Sequence, residues 1–154
     1  MRFSHQVHYA IYGVFDLAYN GRGKPVQVRV ISERQSIPTR YLEQIFQRLR
    51  RAGIVKGKRG PGGGYELATD PETITLRKIV EAVEGPIGGG RSPGQDEVGR
   101  DEIGALSAQP SFVWLLLSDR IRDLLDDFSV AELCRIASMQ GVPRAGSEAQ
   151  DYQI

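Results

Sequence analysis

Three observations predict a mainly α fold with a small β-wing. Residues 4–19 and 28–51 repeat apolar side chains at three- and four-residue spacing, and the hairpin signal Arg59-Gly60-Pro61-Gly62-Gly63-Gly64-Tyr65 follows directly. From residue 110 a long apolar seam resumes at helical spacing. A basic amphipathic helix leading into a glycine-tipped hairpin is the layout of a winged helix-turn-helix. The later seam adds a long partner-facing helix.

The first helix is expected from Ser4 to Tyr19, with Ser4 as cap and Val7, Ala10, Ile11, Val14, Leu17 and Ala18 on its apolar side; Asn20-Gly21-Arg22-Gly23-Lys24-Pro25 ends it. A second helix covers Val28 to Gln35, with Val28 and Ile31 inward. Ser36-Ile37-Pro38 makes the turn, with proline at the first helical position, where its missing N–H costs nothing. On the third helix Leu42, Ile45, Phe46 and Leu49 form the buried stripe and Ala52-Gly53 stops it. Residues 54–59 and 64–68 are two short strands, and Asp70-Pro71 closes the hairpin. A fourth helix runs from Leu76 to Glu84, capped by Thr75.

Residues 85–109, rich in Gly, Ser, Pro and acidic side chains, are too poor in apolar anchors to pack and read as a flexible loop of the sensor type. Pro110 opens the next helix, whose Val113, Trp114, Leu117, Ile121, Leu124, Leu125 and Phe128 form the seam; Phe112 to Leu117 is apolar all round and faces a partner. Ser129 caps a last helix, Val130 to Met139. The chain thus divides into a winged helix-turn-helix (1–84), the loop (85–109), dimerisation helices (110–140) and a disordered tail (141–154). No apolar run approaches the length of a membrane span, the N-terminus is too polar for a signal peptide, and a single cysteine allows no intrachain disulfide. A cytoplasmic protein is expected.

The net charge of +1 conceals a partition: residues 1–69 hold twelve Lys and Arg against four Asp and Glu, and the remainder eight against fifteen. The basic part is the anion binder. Side chains at the start of a recognition helix reach base edges in the major groove, and Thr39, Arg40, Glu43 and Gln44 hold that end. Glutamine pairs with adenine, arginine with guanine, and glutamate accepts from cytosine. Arg48, Arg50 and Arg51 suit phosphates. Arg59, beside Gly60 at the wing, suits a narrow minor groove, whose negative potential attracts arginine. The Gly60–Gly64 run also admits a phosphate-cradling enzyme loop. It joins two strands, however, and lacks the Lys-Ser/Thr of such loops.

The stretches Ile31-Ser32-Glu33-Arg34-Gln35, Tyr41-Leu42-Glu43-Gln44 and Arg59-Gly60-Pro61-Gly62-Gly63-Gly64-Tyr65 closely resemble the Rrf-type bacterial transcription regulators of the IscR, NsrR and CymR kind. The resemblance covers residues 1 to about 85 and returns from Trp114 to Asp127. It implies a homodimer in which the helix near Pro110 crosses its mate through Trp114, Leu117, Ile121, Leu124 and Phe128. Each subunit then offers a winged helix to half of a palindromic operator in double-stranded DNA, more in the manner of a repressor. It places base and backbone contacts on Thr39, Arg40, Tyr41, Glu43, Gln44 and Arg50, with Arg59 in the minor groove. Pro38 and Arg40 stand where iron-sulfur members carry small hydroxyl residues, so the operator sequence does not carry over.

Iron-sulfur members of that family carry three cysteines in the loop that here reads GPIGGGRSPGQDEVGRDEIGALSAQ, without one. A cluster needs a thiolate, or a substitute such as histidine, on each iron. Cys134 lies beyond the loop and reads as a small buried hydrophobe. His8, where some relatives supply a partner-subunit ligand, His5, and the acidic Asp96, Glu97, Asp101 and Glu102 do not by their spacing make a metal site. No cofactor, metal or enzyme activity is expected. The effector is a small molecule or a protein, since CymR-like relatives without a cluster answer to an enzyme of cysteine metabolism.

Overall fold

The computed structural model describes residues 2–88, 110 and 112–146. The first helix, α1 (His5–Gly21), starts at Ser4, whose hydroxyl accepts from the Val7 N–H at 3.3 Å. It runs two residues past the expected end, because Arg22 takes the left-handed conformation that closes it (φ 50°). Helix α2 (Val28–Gln35) has the expected bounds. The turn after it is made by Ser36, also left-handed at φ 53°. Pro38 then stands one place earlier than expected, as the cap of α3 (Thr39–Arg51), its carbonyl accepting from the Tyr41 and Leu42 N–H groups. Leu42, Ile45, Phe46 and Leu49 are buried as the periodicity required.

Strands β1 (Val55–Lys58) and β2 (Gly64–Leu67) pair antiparallel, with Val55 opposite Leu67 and Lys58 opposite Gly64. The wing is tied to the body by a feature absent from the sequence reading: Val26 and Tyr65 exchange both backbone hydrogen bonds at 2.8 Å. Gly64 makes this approach possible. Its φ is +146°, and a Cβ there would lie 2.4 Å from the Val26 carbonyl. Tyr65 then packs edge-on against Phe46, with ring centroids 5.0 Å apart, which ties wing to recognition helix.

Asp70-Pro71 opens a single 3-10 turn, Pro71–Thr73, capped by the Asp70 carboxylate. Helix α4 (Leu76–Glu84) is capped by Thr75, α5 spans Phe112–Asp126, and α6 (Val130–Met139) is capped by Ser129. Helix α1 is central: its Val7, Ala10 and Val14 are fully buried in one core with Leu42, Phe46, Leu49 and Ile79. Removing an aromatic side chain such as Phe46 from water contributes about 1.5–3 kcal/mol. Gly13 lets α3 approach, since a Cβ there would stand 2.8 Å from the Phe46 ring.

Helices α4 and α5 meet at an ion pair, Arg77 donating to Asp126 at 2.9 Å, and the Thr75 hydroxyl reaches the other Asp126 oxygen. Backbone bonds from Leu76 N–H to the Phe128 carbonyl and from Val130 N–H to the Ile74 carbonyl complete the joint. The first residues past α4 also lie on this body: Ile87 N–H donates to Glu81, and Gly88 sits against Ser118 of α5. Most of the 85–109 segment, including Asp96, Glu97, Asp101 and Glu102, lies outside the described residues.

The tail requires a correction. Residues Val142 to Ala145, expected to be disordered, return to α1. The Tyr19 hydroxyl donates to the Val142 carbonyl at 2.9 Å, the Arg144 guanidinium stacks 4.4 Å above the Tyr19 ring, and Ala145 N–H donates to Asn20. The stretch Gly141 to Gly146 holds only two apolar side chains, Val142 and Ala145, too few for a periodicity to reveal this. Residues 147–154 lie outside the described ones.

Candidate nucleic-acid interface

The outer face of α3 begins with a residue that the turn has claimed. Thr39 is half-buried, and its hydroxyl lies 2.7 Å from that of Ser32, which itself donates to the Ile37 carbonyl. This hydroxyl pair fixes the angle between α2 and α3, so the Thr39 side chain serves the turn before any base. Arg40, Tyr41, Glu43 and Gln44 follow on the exposed first turns, Tyr41 58% accessible despite its ring. Beside them an open pocket of about 330 Å³ separates the start of α1 from α3, lined among others by His5, Tyr9, Tyr41 and Gln44.

Arg48 is exposed, but one end of its guanidinium is tied to the body. Its guanidinium is drawn toward α1 and α4, donating to the Gln6 side chain at 2.5 Å and to the Val83 carbonyl at 3.1 Å. The position flanks Leu49 on the buried stripe, and helical periodicity cannot separate a flanking arginine that bonds a neighbouring helix from one that faces solvent.

Arg50 joins helix to wing. It lines a cleft of about 470 Å³ with Gln47, Arg51 and Tyr65, and a second of about 230 Å³ with Gly57, Lys58, Arg59 and Gly64. Arg59 and Gly60 are exposed at the hairpin tip. Lys58 and Tyr65 also belong to this surface, and no sequence motif marks them, because only the β register carries them beside Arg50. The Gly60–Gly64 loop joins two strands, as its sequence context implied. Gly63 is held tightly in it, since a Cβ there would meet the Lys58 carbonyl at 2.4 Å.

A cluster of cations without acidic partners marks α3 and the wing, although among the described residues Arg22, Lys24, Lys78 and Arg120 elsewhere also have no acidic partner within 4 Å. Away from α3 and the wing tip, Arg29, Arg34, Lys56, Arg77, Arg122 and Arg135 each have an acidic partner within 4 Å. Among the described residues Arg40, Arg50, Arg51, Lys58 and Arg59 have none, so their charge is available to an anion. Four of them lie along the two clefts that meet at Arg50. An exposed helix flanked by such cations suits a double-stranded polyanion: helix to groove, flanking cations to phosphates.

The predicted dimer residues lie on α5 and just beyond it. Trp114, Leu117, Leu124 and Phe128 are exposed, Trp114 at 54%, as is Leu115 at 64%; Ile121 instead is half-buried against the core of its own chain. Among the described residues no helix is long and apolar enough to cross a membrane.

Cys134 is half-buried on α6, packed against the core, and burial pushes its thiol up, against the weaker pull of Arg144 and Arg135. The rings of His5 and His8 meet edge-on at 6.4 Å, with Tyr9 beside His5 and Tyr12 stacked on His8. Among the described residues no three His, Cys, Asp or Glu side chains converge as metal ligands do.

Residues 3–136 match the Rrf2 family, described as iron-dependent transcriptional regulators. The chain is 35% identical over 160 residues to the HTH-type transcriptional regulator IscR of Salmonella agona, across 98% of this chain and 95% of that one. Among solved structures it is similar to CymR, the global cysteine regulator of B. subtilis, with TM-score 0.67 and 32% identity over 88% of this chain and 98% of that chain. It is also similar to T. potens IscR, with TM-score 0.70 and 30% identity over 94% of each. The iron in the family description finds a poor donor set here. The one cysteine has its thiol form favoured by burial and lies on α6, and the loop sequence contains none. With the fold, the exposed face of α3 and the matches in agreement, the chain belongs to the Rrf2 family of DNA-binding transcriptional regulators.

Proposed function

We propose that the protein is a cytoplasmic homodimeric repressor that reads a palindromic operator, each subunit placing α3 in a major groove and its wing in the adjoining minor groove. Arg40, Tyr41, Glu43 and Gln44 face base edges and neighbouring backbone, Thr39 sets the start of the helix, Arg50 and Arg51 hold phosphates, and Arg59 with Gly60 enters the minor groove. The observation that carries this reading is the position of Arg50, unpaired and common to both clefts, which makes helix and wing one cationic surface. The protein acts by binding, without catalysis and without a conventional iron-sulfur cluster. Trp114, Leu117, Leu124 and Phe128 meet the second subunit. Whatever occupies or reshapes the 85–109 loop alters the α4–α5 angle, and so the fit of two half-sites.

Selection of duplexes from a random pool, followed by measurement of stoichiometry, tests this. The expected product is a two-fold symmetric sequence bound by two chains. A selected site without symmetry, bound by one chain, would refute the dimeric reading. A protein effector is supported by one observation: Phe112 to Leu117 expose apolar side chains all round the helix, more than a single seam between two helices covers.

A further inference from the structure

We propose that Asp16 is a positioning residue for the recognition helix, and that the segment Val142–Ala145 holds it in register through Asn20. The inference rests on α3 being the helix that enters the groove. Asp16 is the one charged side chain fully buried among the described residues. Burying a carboxylate is costly unless it is fully partnered, and apolar residues would stabilise the same space at least as well. What the carboxylate supplies is direction. It accepts from Arg34 at 3.1 Å and Gln35 at 2.8 Å, the last two residues of α2, and from Asn20 at 3.0 Å.

The left-handed Ser36 comes immediately after Gln35, and the Ser32–Thr39 hydroxyl pair closes the turn. The orientation of α3 therefore follows from where the end of α2 is clamped. Asn20 is used at both ends of its amide: its nitrogen donates to Asp16 and its oxygen accepts from Ala145 N–H at 2.8 Å. With Tyr19 bound to the Val142 carbonyl and covered by Arg144, the C-terminal segment meets the helix-turn-helix at this amide.

The test uses the full chain and a duplex selected from a random pool on the wild-type protein, with a scrambled duplex of equal length as control. Two variants are compared: Asp16→Asn, which keeps shape and removes charge, and Asn20→Ala, which cuts the link while leaving Asp16, Arg34 and Gln35. A positioning role predicts that the ratio of selected to scrambled affinity falls about tenfold in Asp16→Asn, comparable to one mismatched base pair, with scrambled binding nearly unchanged. Asn20→Ala shifts the ratio in the same direction, and this reading stands even where Asp16→Asn does not fold. An unchanged ratio in Asn20→Ala, or a loss on both duplexes that follows the folded fraction, overturns the proposal. A wild-type protein that selects no sequence would instead remove the assignment of α3, and this inference with it.

Discussion

Arg77 donates to Asp126 across the boundary between the DNA-binding body and the long helix, at 2.9 Å, while its Nε lies 3.3 Å from Glu81, which also accepts from Ile87 N–H. The start of the 85–109 loop and the end of α5 therefore converge on one arginine. The hydrogen bond from Arg77 holds the Asp126 carboxyl below its ordinary value, against some desolvation, with help from Thr75. A carboxylate lowered in the folded state stabilises above its unfolded pKa, and the contribution is lost as pH falls through the folded one. Asp126→Asn is thus expected to melt below wild type at neutral pH, with the gap closing under acid conditions below about pH 4. Thermal melts of both proteins across pH check this; a gap that persists in acid would contradict it.

At the wing tip, Arg59→Ala is expected to weaken operator binding by about 1–3 kcal/mol while the dimer stays intact. Fluorescence anisotropy with sedimentation measures both. Unchanged affinity would remove Arg59 from the interface.

Gly64→Ala attacks the same surface from inside. The added Cβ meets the Val26 backbone, and the positive φ disfavours it further, at a cost of about 1–3 kcal/mol. Loss of the Val26–Tyr65 bridge should release the wing, seen as early amide exchange at Tyr65. Exchange as slow as in wild type would show that the close approach is dispensable.

On α5, Leu117→Glu buries a charge in any two-helix seam and should yield monomers by sedimentation, with operator affinity falling more than scrambled-DNA affinity. A variant that remains dimeric would move the seam off Leu117.

Cys134 should alkylate several-fold more slowly in the folded protein than after unfolding, since burial favours its unreactive thiol form. Protein purified without oxygen should lack a cluster absorption band. Rapid labelling or an iron-coloured sample would reopen the sensor assignment.

Much of this architecture was legible because each signal was local. The bounds of α2 and α6 follow from apolar spacing with a turn residue or cap beside it, and the wing from its glycines. What stayed hidden depends on partners distant in the chain. Asp16 looks like a polar residue on α1 until Arg34 and Gln35 arrive from α2 to surround it. Arg48 looks like a side chain on the outer face until Gln6 and the Val83 carbonyl take up one end of its guanidinium. The Val142–Ala145 strap has almost no pattern, since it binds through two backbone groups and one stacked arginine, and backbone groups are the same in every residue. Ile121 shows the converse: periodicity placed it on an apolar face, but only packing divides that face between its own core and a second chain.

The clustering of unpaired cations along the two clefts at α3 and the wing bears on speed as well as affinity. A duplex diffusing toward the molecule is attracted to that cluster, which favours one orientation before any contact forms. Added salt shortens the reach of that attraction and should slow arrival at the operator as well as weaken the bound state. A regulator built this way finds its site by rotating the cationic face of α3 and the wing into the field of the duplex.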